Sequence, residues 1–101
     1  MSGVSTQLSP NKSSCTIKVD GDFNFAAHKD FAAAYKALPV STNFLIDFST
    51  TSYLDSSSLG MLLQLKRYVG NNNDKVKIIN CSPALKDIFT ISKFDKFFTF
   101  E

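Results

Sequence analysis

Asn43-Phe44-Leu45-Ile46-Asp47-Phe48-Ser49 and, a few residues on, Leu54-Asp55-Ser56-Ser57-Ser58-Leu59-Gly60-Met61-Leu62-Leu63 together decide the fold. In the first segment Phe44, Ile46 and Phe48 alternate with Leu45, Asp47 and Ser49, the period of a strand. In the second, Leu59, Leu62, Leu63 and Val69 recur at the spacing of a helix. Leu45 makes the strand apolar on both faces, which predicts a place inside a sheet. Between strand and helix lie an acid and three hydroxyls. A helix start exposes free backbone N–H groups and the positive end of the helix dipole, so it favours capping oxygens and tolerates added negative charge.

Working outward, residues 1–13 read as an edge strand or a frayed end, because Val4, Thr6 and Leu8 alternate with polar residues before the turn at Pro10-Asn11-Lys12-Ser13. Cys15, Ile17 and Val19 predict a half-buried strand that stops at Asp20-Gly21. Phe23-Asn24-Phe25 leads into a helix over 26–38, with Ala27, Phe31, Ala34, Tyr35 and Leu38 on one stripe and Pro39 closing it. Residues 50–54 continue loosely extended toward Asp55. The second helix spans 56–69 and stops at Gly70-Asn71-Asn72-Asn73-Asp74. Val76, Ile78 and Ile79 form another strand. Ser82-Pro83 caps a third helix through Leu85, Ile88 and Phe89, and the aromatic tail 94–100 packs back on the sheet. Strands alternating with helices give the fold class: α/β, a single domain over 1–101. Its four- to five-stranded sheet is mixed but mostly parallel and carries about three to four helices on one or both faces.

Composition excludes several function classes. The 101 residues are 44% hydrophobic and 20% charged, as in ordinary globular domains. Eleven basic and nine acidic residues give a net charge of +2 without a basic run, so no nucleic-acid footprint is present. Cys15 and Cys81 are too few and too far apart for a zinc site or a disulfide framework, and read as buried thiols. His28 is the only histidine and falls off the apolar stripe of its helix. No Ser-His-Asp set or metal constellation can be assembled, so the expectation is no enzyme and no cofactor. No glycine-rich phosphate loop is present. With no signal peptide and no apolar run near the ~20 residues of a membrane span, the reading is cytoplasmic, without direct membrane insertion.

The serine turn has two readings. In one, Asp55 is the N-cap, the serines fill the first turn, and Gly60 lets the helix pack closely on the sheet. In the other, Ser56 is a phosphoryl acceptor on a protein-docking face. On a wheel of ~100° per residue, Ser56, Gly60, Gln64, Arg67 and Ser57 share the polar side, next to an arc extended by Met61, Leu65 and Tyr68. A phosphoserine adds about −1.5 to −2 charges, favourable at a helix start and unfavourable beside Asp55. Those effects oppose each other, so phosphorylation would change docking rather than the fold. The acceptor would need a separate kinase.

The strand 44–49 and the run Tyr53-Leu54-Asp55-Ser56-Ser57-Ser58-Leu59-Gly60-Met61-Leu62-Leu63 resemble the STAS family, found in sulfate transporters and bacterial anti-sigma factor antagonists. Gly21-Asp22-Phe23, Val76-Lys77-Ile78-Ile79-Asn80 and Ser82-Pro83 support the resemblance, which covers nearly the whole chain beyond residue 14. One departure stands out: Ser58 occupies a position where the family usually has glycine. The resemblance implies a stand-alone antagonist in a partner-switching pathway, regulating transcription through protein–protein contacts. Ser56 is then phosphorylated by an anti-sigma factor or switch-protein serine kinase and dephosphorylated by a PP2C-type phosphatase. The bare form binds the kinase and the phosphorylated form releases it. Ser56 ranks first as acceptor, Ser57 next and Ser58 last. Asp55 shapes the turn, Asp47 supports it from the preceding strand end, and Gly60, Met61 and Gln64 contribute to the docking face. The alternative is a STAS accessory subunit docking on the ATPase of a lipid-transport ABC complex, with no phosphate needed.

Overall fold

A computed structural model describes residues 3–101. The strands are β1 (Val4–Leu8), β2 (Ser14–Val19), β3 (Gly21–Phe23), β4 (Asn43–Asp47), β5 (Thr51–Leu54), β6 (Val76–Ile79) and β7 (Thr99–Phe100), and the helices are α1 (His28–Lys36), α2 (Ser56–Tyr68) and α3 (Pro83–Ile91). Five strands form the main sheet in the order β1-β2-β4-β6-β7, while β3 and β5 pair separately. Among the described residues only β1 runs antiparallel to its neighbour; β2–β4, β4–β6 and β6–β7 are parallel. The fold is the small, mostly parallel α/β domain that the strand–helix alternation predicts.

The β1–β2 hairpin is set by its turn. The Asn11 side-chain oxygen accepts from the Ser13 N–H (3.1 Å) and the Ser9 hydroxyl (2.7 Å), and Lys12 takes a φ of 60°. Thus residues 4–8 form a paired edge strand, while Met1 and Ser2 lie outside the described residues. From β2 onward each parallel crossover advances the same way across the sheet. Right-handed crossovers that all advance in one direction place their helices on one face. Accordingly Phe44 and Ile46 of β4 are buried, whereas Leu45 and Asp47 are half-buried on the open side. The double-sided apolar pattern of β4 therefore marks a central strand, covered by helices on one side only.

The core lies between that face and the helices. Cys15, Ile17, Val19, Phe44, Ile46, Val76 and Ile78 from the sheet meet Phe31, Tyr35, Leu59, Leu62, Leu65, Leu85 and Phe89. Aromatic contacts join the layers, with Tyr35 and Phe44 ring centres 6.4 Å apart and Phe48 stacked on Phe89 at 6.2 Å. Helix α1 is shorter than its apolar stripe predicts. Asn24 caps a 3-10 turn over Phe25–Ala27, accepting from the Ala26 N–H at 3.0 Å, and the α-helix begins only at His28. Ser82 caps α3 as its Ser-Pro pair predicts, accepting from the Leu85 N–H. The aromatic tail closes the sheet through Lys77↔Thr99 and Ile78↔Phe100. Cys15 and Cys81 are free thiols, the first buried and the second half-buried, and burial pushes both up in pKa.

Candidate functional site

The site is built where β5 hands over to α2. Strands of three and four residues are too short to carry a visible period, so β3 and β5 do not stand out in the sequence. In the structure they pair in parallel, with Asp22↔Tyr53 and Phe23↔Leu54 opposite each other. The pairing is anchored by Gly21, whose φ of 77° makes the turn out of β2 and whose N–H donates to the Thr50 carbonyl at 2.9 Å. The Thr51 hydroxyl donates to the Val19 carbonyl at 2.6 Å, and the Thr50 hydroxyl to the Asp20 carboxylate. Phe23 and Leu54 are buried. The chain therefore enters the turn on a fixed heading.

Asp55 is the N-cap of α2, in extended backbone, and its carboxylate accepts from the Ser58 N–H at 3.0 Å. Ser58 completes a reciprocal capping box of the kind usually closed by Glu or Gln. Its hydroxyl accepts from the Asp55 N–H at 2.9 Å and donates to the Asp55 carbonyl at 2.5 Å. Ser58 is 0% exposed. Ser57 is half-buried and its hydroxyl donates to the Asp55 carboxylate at 2.5 Å. Ser56 is exposed, and among the described residues its hydroxyl has no hydrogen-bond partner. The three serines thus divide: Ser58 is locked inside, Ser57 is tied to the acid, and Ser56 is free. Hydrogen bonds from the Ser57 hydroxyl and the Ser58 N–H hold the Asp55 carboxyl below the usual carboxylate range, so it is ionised at neutral pH.

Gly60 and Gln64 are exposed on the same side as Ser56. A methyl group added at Gly60 would meet nothing within 4 Å. Gly60 is therefore not required for helix–sheet packing, which removes the structural reason first offered for it. Two further expectations need correction. Met61, expected to contribute to the docking face, is only 4% exposed and belongs to the core. The buried arc of α2 runs through Ser58, Leu59, Met61, Leu62, Leu65 and Lys66, while Leu63 is only half-buried. The inner face is turned toward Met61 and Leu65 because α2 packs on α1 as well as sharing the core with the sheet residues. Asp47 does not brace the serine turn. Its carboxylate accepts from the Ser49 N–H at 2.8 Å and the Asn80 side chain at 3.2 Å, tying the end of β4 to the end of β6. Burial opposes ionisation of Asp47, but those hydrogen bonds and the charge of Lys18 outweigh it and keep its pKa below the ordinary value.

Two exposed aromatics flank the turn and were not singled out from the sequence. Tyr53 is 52% exposed, and Phe25 is 72% exposed and stacked on the imidazole of His28 at 5.7 Å.

These features define a small α/β domain that presents one free serine at a helix start, on a face that the fold itself does not use. The chain belongs to the STAS-domain family: the family model described as Mlab, STAS domain matches residues 6–99. A STAS-domain containing protein of Pseudomonas aeruginosa is 40% identical over 84 residues, covering 82% of this chain and 83% of that protein. Among solved structures, an anti-sigma factor antagonist from Mycobacterium paratuberculosis aligns with a TM-score of 0.73 at 19% identity, over 96% of this chain and 84% of that one. The Bacillus cell fate determinant SpoIIAA in its phosphorylated form aligns with a TM-score of 0.63 at 20% identity, over 96% and 91% of the two chains. Both likenesses establish the fold.

Proposed function

We propose that this protein is a phosphorylation-controlled docking module of the partner-switching type. It binds an anti-sigma factor or switch-protein serine kinase while Ser56 is bare and lets go when Ser56 carries phosphate. The carrying observation is the division of labour among the serines, which leaves Ser56 exposed and unbonded at the first position of α2. Its neighbours Ser57 and Ser58 are committed to Asp55. A phosphate on Ser56 gains from the free N–H groups of the first turn and loses against the ionised Asp55 beside it. The fold is expected to survive the modification, and the docking face to change sign. A Bacillus structure of this fold is of a phosphorylated form, which supports the reading. The protein itself is read as non-enzymatic and cytoplasmic, with the phosphate supplied by the bound kinase and removed by a PP2C-type phosphatase. Among the described residues no helix is long and apolar enough to cross a membrane.

A second reading draws on the family match, whose model carries the Mlab description. It makes the chain an accessory subunit docked on the ATPase of a lipid-transport ABC complex through the same face of α2. Two measurements separate the readings. Mass spectrometry of the protein from its native cells should find phosphate on the tryptic peptide carrying Ser56. Pull-downs should show that Ser56→Ala retains a kinase partner and that Ser56→Asp loses it. Equal binding by both variants, with a transporter ATPase recovered, would favour the second reading.

A further inference from the structure

Helices α1 and α2 leave an open groove of about 480 Å³ between them, lined by Tyr35, Lys36, Gln64, Arg67 and Tyr68. Its floor is rigid. The Tyr35 and Tyr68 rings meet edge to face at 5.2 Å, and the Tyr68 hydroxyl donates to the Leu38 carbonyl at 2.6 Å. Its rim is cationic. Lys36 and Arg67 are both exposed, and among the described residues neither side chain has an ion pair, a hydrogen bond or an aromatic partner. No acidic residue lines the groove, and α2 contains none. Asp20, Asp22 and Asp30 gather instead around a different cleft, near the end of β2 and the start of α1.

The groove continues the face that carries Ser56. Along α2, Arg67 lies about 16 Å from Ser56 and about 20° around the helix axis, with Gln64 between them. We propose that this groove is the second half of the docking surface and that its occupant is an acidic segment of the partner protein, most simply a helix edge bearing Glu or Asp. The proposal rests on the docking reading of α2 and names the partner's chemistry. Charge complementarity is the argument: two unpaired cations flank an aromatic floor with no local acid to satisfy them. Guanidinium and carboxylate also match bidentately. The ~16 Å separation exceeds the screening length of about 10 Å at ~0.1 M salt. A phosphate on Ser56 therefore acts on the partner rather than on Arg67. The groove sets affinity and the serine sets release.

The test uses a defined probe: an amphipathic helical peptide with glutamates along one edge, compared with its glutamine isostere. Amide shifts of the ¹⁵N-labelled protein are followed at low salt. The expected result is perturbation centred on Lys36, Gln64, Arg67 and Tyr68 with the glutamate peptide and little with the isostere. Lys36→Gln with Arg67→Gln should weaken the glutamate peptide by about five- to tenfold, and ~0.5 M salt should erase most of that difference. Neutralising the distant pair Lys12 and Lys93 should change it little. Shifts spread evenly over the surface lysines, or equal binding of the two peptides, would overturn the proposal. So would self-association of the protein alone that the double variant abolishes, because the groove would then be filled by a second copy. The role of Ser56 is read separately from its phosphopeptide, so either idea can fall without the other.

Discussion

Replacing Ser58 by alanine removes a hydroxyl that serves two backbone groups at once. It accepts from the Asp55 N–H at 2.9 Å and donates to the Asp55 carbonyl at 2.5 Å, in a position 0% exposed. The Asp55 N–H then loses its partner at the mouth of the helix. Losing half of a capping box costs about 1–2 kcal/mol, and alanine's better helix propensity returns up to about 0.5 kcal/mol. The net loss is about 1 kcal/mol, which in a domain of this size lowers Tm by about 4–8 °C. Ser56→Ala is the control. That hydroxyl is exposed and unbonded, so its removal should stay within about 0.5 kcal/mol of the original stability. Thermal unfolding and urea titration of both variants, with unchanged m-values, give the comparison. Equal destabilisation by the two substitutions would make Ser56 a structural residue and refute the division of labour on which the functional reading depends.

Gly60→Ala should stabilise the fold by about 0.5–1 kcal/mol, because the added methyl meets nothing within 4 Å and a helical glycine is costly. A rise in Tm combined with weaker capture of the cognate partner would assign the glycine to docking, and a fall in Tm would return it to the fold. Asp55 has a pKa below its unfolded value. Its contribution is therefore fully present above the unfolded pKa near ~3.9 and lost as pH falls through the lower folded one. The stability advantage of wild type over Asp55→Asn, followed by urea midpoint, should be constant near neutrality and shrink in that acid window. Leu62→Ala deletes a side chain 0% exposed at the centre of α2 and should cost about 2–5 kcal/mol, an unmistakable drop in Tm. Burial holds the Lys66 pKa down, so wild-type stability should rise as pH climbs through that lowered value toward the ordinary lysine pKa near ~10.4. Lys66→Met should lack that alkaline gain.

Much of the fold was legible because it rests on local periodicity. The step from the two-residue period of residues 44–48 to the helical spacing after Asp55 is written in side-chain polarity. So are the Ser82-Pro83 cap and the stop at Gly70. The strands β3 and β5 were not legible, since three or four residues carry too little pattern and their pairing joins positions about thirty residues apart. The burial of Met61 was not legible for a related reason. A helix wheel orders residues by angle, but only the partners decide which arc is inside, and α2 has both α1 and the sheet side of the core as partners. Lys66 makes the same point. A lysine reads as solvent-facing, yet here it is 7% exposed and its ammonium lies 5.0 and 5.8 Å from the ring centres of Phe97 and Phe98, residues that only the closing of the chain's tail brings near.

By itself the sequence determined the architecture, the helix start after Asp55 and the ranking of Ser56 above its neighbours, the last through family resemblance. Only the folded structure decided which of the three hydroxyls are already engaged. A hydroxyl's availability depends on which backbone groups surround it, and the capping box draws Ser58 inward and Ser57 onto Asp55, leaving Ser56 outside. Ser58 thus has a structural role of its own: its hydroxyl closes the cap. The unpaired cations of the α1–α2 groove are likewise a tertiary fact, because Lys36 and Arg67 come from helices separated by the central strand and share a surface only after folding.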